Sequence, residues 1–412
     1  MTHIYLFNEG ARASIYGIGT YIRQLTEILQ KQKDFSLTIV QLATDEKEFK
    51  IDEVDGVRYF SCPAVQFTRS KHDAKYYRNV WYLIHPYIQY TDGDRLIFHL
   101  NFHMEYPLIE KMKADFPDCR TIHVVHYQEW SFFLKGNMSY FKQIIHKNKS
   151  DLTDETEKKA YELYEEELKP FASVDEIVCL SNHAKQLLIE EYHIPENKVC
   201  QIYNGLKDEA DCLSEQEKSV LKKQFGFEAN EQLILFAGRL EEVKGLDFLI
   251  SAFNHITTSF PDCRLIIAGD GFATKYMQKI EKGWGKITFT GRLTKEKLYQ
   301  LYQIVDLGVI TSLYEELGYV AMEMMMFGLP FIATQVAGLN ETVEDGVNGW
   351  KIPVTEAEKS NEISIEDLKD KIIGALSGQK KLDKAVIRNS FLSKYELNVM
   401  YKNYLALYRS ES

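Results

Sequence analysis

Two carboxylates, Glu315 and Glu323, lie in the stretch Thr311–Pro330, TSLYEELGYVAMEMMMFGLP. A strand over Leu307–Ile310 is expected to feed a short loop, and a helix to begin near Gly318. That helix should stop at Phe327, because Gly328 supplies a left-handed cap and Pro330 cannot continue the ladder. On one continuous helix the acids would be turned by about 800°, leaving them roughly 80° off a common face. They converge on one ligand only if Glu315 sits in the loop and Glu323 in the helix. Such an entry exposes the N–H groups of Leu317, Gly318, Tyr319 and Val320, which with the helix dipole favour an anion such as phosphate. Gly318 has no Cβ, so its backbone admits a close approach. Two acids beside an anion site suggest a ligand with phosphate and several hydroxyls, a sugar nucleotide. The same pattern also suits an ordinary buried helix carrying two solvated glutamates.

Other reactive residue types sit at the ends of expected strands. The strand over residues 3–8 runs into Tyr16-Gly17-Ile18-Gly19-Thr20-Tyr21, a glycine loop opening a helix that ends near Lys33. The arrangement resembles a phosphate-binding turn, but the third glycine of the dinucleotide fingerprint is missing. The strand Arg95–Asn101 ends in HLNFH and the strand Thr121–Val125 ends in His126. Parallel α/β sheets place ligand contacts at carboxyl ends of strands, so His126 and His103 are candidates, while His99 and His123 are read as structural. After the strand Leu233–Phe236 come Arg239 and Lys244, two cations that spacing alone leaves open as surface charges. The strands Arg264–Ala268 and Ile287–Thr290 end in glycine turns, the second at Gly291-Arg292-Leu293.

The 412 residues exceed one typical core, and strands alternate with helices twice over, so two Rossmann-like domains are expected. A hydrophobic share of 45% and a charged share of 26% suit a globular enzyme, and a net charge of −11 argues against nucleic acid as partner. No apolar run is long enough for a bilayer and no signal peptide is read, so the cytosol is the expected compartment. A patch of Arg69, Lys71, Lys75 and Arg78 could touch a membrane surface peripherally. The six cysteines show no zinc spacing and read as reduced thiols. Asp92-Gly93-Asp94 mimics a metal-binding pair but reads as a turn, so no metal is expected. The aromatic stripe Phe67, Tyr76, Tyr77, Trp81, Tyr82, Tyr87 and Tyr90 suits either an acceptor surface or a helix covering its own core. Residues 135–170 read as solvated helices or a flap.

SLYEELGYVAMEMMMFGLPFIAT followed by AGLNETVEDGVNGW resembles the signature of family-four retaining glycosyltransferases, which have the GT-B fold. Glu315 and Glu323 match that family's Glu, seven residues, Glu. Where the family has Pro-Phe-Gly after the first acid, this chain has Glu316-Leu317-Gly318. The resemblance implies two facing Rossmann-like domains, residues 1–205 and 206–389, with the C-terminal segment 390–412 crossing back to the first. It implies a retaining, metal-independent transfer of a hexose from a nucleoside diphosphate sugar to a hydroxyl acceptor on a glycan, peptide or lipid-linked sugar. UDP-hexose is the first expectation for this co-substrate, and no cofactor is implied. Arg239 and Lys244 would hold the diphosphate, the amides of Leu317, Gly318, Tyr319 and Val320 would add hydrogen bonds, and Leu293 would flank the base. Glu323 would take the ribose hydroxyls and Glu315 the sugar hydroxyls. Gly17 and Gly19 would close over the phosphates, and His126 would touch the transferred sugar. A same-fold epimerase or phosphorylase, or a catalytically silent partner subunit, is the rival expectation.

Overall fold

The computed structural model describes residues 1–9, 17–64, 74–102, 106–211, 213–281 and 283–410. They form two compact units. The first comprises residues 1–128, 149–205 and 397–412, and the second 129–148 and 206–396.

The first unit is built on strands β1 (Thr2–Glu9), β2 (Phe35–Thr44), β3 (Lys50–Val54), β4 (Val57–Pro63), β5 (Arg95–Leu100), β6 (Arg120–Val125), β7 (Glu176–Cys179) and β8 (Val199–Gln201). Their order is β3-β4-β2-β1-β5-β6-β7-β8, parallel throughout except for the β3–β4 hairpin. That hairpin turns at Asp55 and Gly56, both with positive φ, as a tight two-residue turn requires. The central strands are nearly continuous apolar runs because helices cover both faces of a parallel sheet. The last helix, Leu397–Arg409, belongs to this unit and buries Tyr404 and Tyr408 completely.

In the second unit, β9 (Gln232–Ala237), β10 (Cys263–Ala268), β11 (Ile287–Gly291), β12 (Leu307–Ile310), β13 (Phe331–Thr334) and β14 (Trp350–Ile352) make a parallel sheet. Its order is β11-β10-β9-β12-β13-β14, that of a doubly wound nucleotide-binding sheet. The strand order reverses between β9 and β12, which is where such sheets open a crevice at their carboxyl ends. The polar stretch after β14 forms an antiparallel hairpin of β15 (Val354–Glu356) and β16 (Asn361–Ile363).

The expected first domain, 1–205, needs a correction. Glu129–Asn148 leaves the first unit just after His126 and packs into the second. Its apolar side chains supply the reason: Trp130 stacks on Phe141 at 4.1 Å and meets Tyr314 edge-on at 5.3 Å. Asn137 caps the helix Met138–Ile145 and donates to the Ala357 carbonyl at 2.8 Å. The rest of the expected flap keeps its solvated face, with Glu155, Lys158, Lys159, Glu162 and Glu166 exposed, while the helix Glu155–Ser173 buries Ala160, Glu167 and Phe171 on the other side. Residues 390–396 also group with the second unit rather than the first.

Candidate active site

The two strands flanking the reversal in the second unit deliver the charged residues. β9 ends into Gly238-Arg239, and β12 into the loop Thr311–Gly318. Lys244 closes a short turn, Glu242–Lys244, whose cap Gly245 has φ +61°. A Cβ on Gly245 would lie 2.0 Å from the Thr311 carbonyl oxygen, so the turn and the loop touch backbone to backbone. Leu313 N donates to Val243 O at 2.7 Å, and Thr311 Oγ1 to Lys244 O at 3.1 Å. This contact brings Lys244 against Glu315: the ammonium donates to Oε1, as does Ser312 Oγ at 2.9 Å. Both charged side chains are about four-fifths buried, at 17% and 20% exposure. The loop is clamped from its other side by Gly338, whose N–H donates to Glu315 O at 2.8 Å. A Cβ there would sit 1.9 Å from Glu316 O.

Glu315 lies in the loop and Glu323 in the helix Tyr319–Met326, the arrangement that convergence on one ligand demands. Their partners differ, however. Glu323 accepts from the Tyr302 hydroxyl at 2.8 Å, and burial pushes its carboxyl up to about 7. Gly318 caps the helix with φ +87°, a backbone conformation that side-chain-bearing residues rarely adopt. The first carbonyl bonds of this helix run from Ala321 and Met322 to Gly318 O, at 3.1 and 3.3 Å. Between the two acids lies a third. Glu316 is buried and accepts from the Tyr314 hydroxyl at 2.8 Å through one oxygen, and among the described residues its other oxygen has no hydrogen-bond partner. Burial, with Glu315 and Glu341 nearby, pushes its carboxyl up to about 8.

Arg239 pairs with Glu241 at 2.7 Å and lies 5.6 Å from the centroid of the Phe132 ring, which arrives on the 129–148 excursion. Leu293 is half-buried just beyond β11. Among the described residues, no three His, Cys, Asp or Glu side chains gather as they would around a metal ion. Asp92-Gly93-Asp94 is a turn in which Asp94 accepts from Thr91 N at 3.2 Å and pairs with the amino terminus at 3.0 Å.

In the first unit the corresponding edge carries imidazole, phenol and amide groups. The helix after β1 spans Gly17–Leu29, so Gly17 and Gly19 lie within its first turn rather than in a loop before it, and it ends short of Lys33. Tyr16 and His103 fall outside the described residues, as do Phe67, Arg69 and Lys71. His126 follows β6 and is half-buried, with Nε2 2.9 Å from Asn101 Oδ1 and its ring 4.8 Å from that of Tyr21. His99 is fully buried between the hydroxyls of Tyr21 (3.0 Å) and Tyr408 (2.8 Å), and burial lowers its pKa to about 3. His123 is also buried, so both fit the structural reading. In the aromatic stripe, Tyr76, Tyr77 and Trp81 are core, whereas Tyr82, Tyr87 and Tyr90 are exposed.

Sequence reasoning passed over Ser312, Tyr302, Gly338 and Asn101, the residues that hold the candidates. Only Asn101, at a strand end, carried a local signal. Each of the others acts through a contact that no motif spacing reports.

Residues 15–210 match the family model described as Glycosyltransferase Family 4, and residues 217–390 match Glycosyl transferases group 1. The chain belongs to glycosyltransferase family 4. An uncharacterised family relative from Methanocaldococcus jannaschii, itself named a glycosyltransferase, is 32% identical over 246 residues, 56% of this chain and 62% of that one. Alpha-D-kanosaminyltransferase of Streptomyces kanamyceticus is 29% identical over 181 residues, 43% of this chain and 47% of that one. The aligned part therefore spans from about half to 62% of the length of these curated relatives. Sucrose-phosphate synthase from Thermosynechococcus elongatus superposes with a TM-score of 0.75 at 18% identity, covering 99% of this chain and 98% of that one. Anabaena HepE, solved with UDP-glucose, gives 0.66 at 18% identity, covering 98% of each. The fold of this family-four chain is GT-B, with a parallel Rossmann-like sheet in each unit. Among the described residues, no helix is long and apolar enough to cross a membrane.

Proposed function

We propose that the protein is a retaining hexosyltransferase that takes a sugar from a nucleoside diphosphate, UDP-hexose being the first candidate, to a hydroxyl acceptor. The observation that carries this reading is the Lys244–Glu315 pair, locked at the strand reversal beside the N-terminus of the helix Tyr319–Met326. An ammonium has three N–H donors, so pairing with Glu315 leaves others for phosphate oxygens. Lys244, Arg239 and the amides of residues 317–320 would neutralise the departing diphosphate. That is where charge develops when a glycosidic bond opens through an oxocarbenium-like state. Tyr302 engages Oε2 of Glu323, which leaves Oε1 for the ribose hydroxyls. Glu315 is assigned to the sugar hydroxyls and Leu293 to the base, while His126, Gly17 and Gly19 serve the transfer step. With two cations and a helix dipole for the phosphates, the reaction runs without a metal. The reading keeps the cytosol as the compartment, with a glycan, peptide or lipid-linked sugar as acceptor.

The test is a panel of nucleotide sugars with and without hydroxyl acceptors, followed by released nucleoside diphosphate and by the anomeric configuration of the product. Acceptor-dependent release with retained configuration is expected. Epimerised nucleotide sugar, or phosphate-dependent release, would replace the transferase reading with one of its same-fold rivals.

A further inference from the structure

The carboxyl ends of three adjacent parallel strands, β1, β5 and β6, meet at Asn101. Its side chain is buried, at 2% exposure, and spans the two neighbours: Nδ2 donates to Phe7 O at 2.8 Å, and Oδ1 lies 2.9 Å from His126 Nε2. These two contacts determine which way the amide faces, because turning it over would set its oxygen against the Phe7 carbonyl. An amide oxygen only accepts, so the His126 nitrogen facing it must carry a proton. In a neutral imidazole one nitrogen donates and the other accepts, so Nδ1 is then the acceptor.

The ring is held as well as tuned. Tyr21 packs edge-on against it at 4.8 Å and 66°. Tyr21 is in turn anchored through its hydroxyl, to His99 Nε2 at 3.0 Å and to Tyr404 on the last helix at 2.9 Å. A structural histidine needs only one satisfied nitrogen. Here a buried amide is itself oriented by the neighbouring strand while the ring stays half-exposed.

We propose that Asn101 is a positioning residue that fixes His126 as the Nε2–H tautomer and so presents Nδ1 as an acceptor for a hydroxyl of the transferred sugar. The catalytic half of this rests on the role given to His126 above; the tautomer half does not. The test is two-bond nitrogen–proton NMR on the full chain with labelled histidine, at a pH where His126 is neutral, its signals assigned by their loss in His126→Gln. Wild type should show a protonated Nε2 and an unprotonated Nδ1. Asn101→Leu, which removes the accepting oxygen, should give a mixture of tautomers. Turnover of Asn101→Leu should fall about tenfold with the donor KM little changed, as for loss of one positioned hydrogen bond. A wild-type His126 protonated at Nδ1, or a tautomer indifferent to Asn101→Leu, overturns the assignment, and the wild-type spectrum decides even if the leucine variant does not fold. A shifted tautomer with unchanged turnover overturns the catalytic half. Full turnover by His126→Gln would refute the role of His126 in transfer while leaving the tautomer result standing.

Discussion

The two sheets have the same kind of strand order, yet their carboxyl edges are furnished differently. In the second unit, charges are gathered and locked: Lys244 against Glu315, Arg239 against Glu241, with Gly245 and Gly338 permitting backbone contact that any side chain would block. In the first unit, the edge gathers rings and an amide, His126, Asn101, Tyr21 and His99, linked by hydrogen bonds and ring contacts. A doubly wound sheet supplies a crevice but not its chemistry. Side chains at the strand ends decide whether it suits an anion or holds a neutral ring in one orientation.

The largest expected effect breaks the charged edge. Lys244→Ala should lower turnover about 10²–10³-fold, the loss typical when one donor to a developing anion is removed. Its melting temperature should fall as well, since the substitution leaves the largely buried Glu315 carboxylate without its cation, so turnover is compared at a temperature where the variant is folded. Turnover close to wild type at saturating donor would take Lys244 out of the mechanism. Next in size, Gly338→Val should displace the loop that carries Glu315. Small misplacements of catalytic groups cost on the order of 10²-fold, and steady-state kinetics with a folded variant would show it. An unchanged rate would mean the clamp does not position Glu315.

A subtler variant sharpens the contrast by asking about an acid at that edge that is held by a tyrosine hydroxyl rather than by a cation. The Glu316 carboxyl is raised from about 4.5 to about 8, so the folded state holds its proton more tightly than the unfolded chain. That contribution to stability is complete below about pH 4.5 and is lost as pH rises through about 8. Glu316→Gln mimics the protonated acid and cannot ionise. Thermal melts should therefore show it matching wild type near pH 5 and exceeding it at pH 9. A variant less stable than wild type at pH 9 would show that Glu316 is ionised and paired. The smallest expected effect is that of a chelator, which should change the transfer rate less than about twofold if cations and the helix N-terminus suffice. Activity lost in chelator and restored by manganese would overturn the metal-free reading.

The strand, loop and helix of the charged edge were legible because punctuation there is local. β12 runs Leu307–Ile310 as expected, and the helix fits inside the span set by Gly318 and Gly328. Most other foreseen strands differ by a residue or two at their ends, the usual uncertainty of boundaries. Long-range contacts were not legible. Nothing in the spacing of Trp130 and Phe141 says which core they join, and nothing near Tyr302 says that it holds an acid 21 positions away. The hairpin β15–β16 hid in a polar stretch because its pairing, not its apolar pattern, defines it. Gly17 and Gly19 were misplaced into a loop since glycine in a helix's first turn reads locally like a turn.

The claim that matters most is that nucleotide binding belongs to the edge carrying Lys244 and Glu315 and not to the one carrying His126. Calorimetric titration of UDP, as the probe, into wild type, Lys244→Ala and His126→Gln addresses it directly. The account expects binding weakened at least about tenfold in Lys244→Ala, the order of one charge-assisted hydrogen bond, and within about twofold of wild type in His126→Gln. Binding lost in His126→Gln and kept in Lys244→Ala would contradict it.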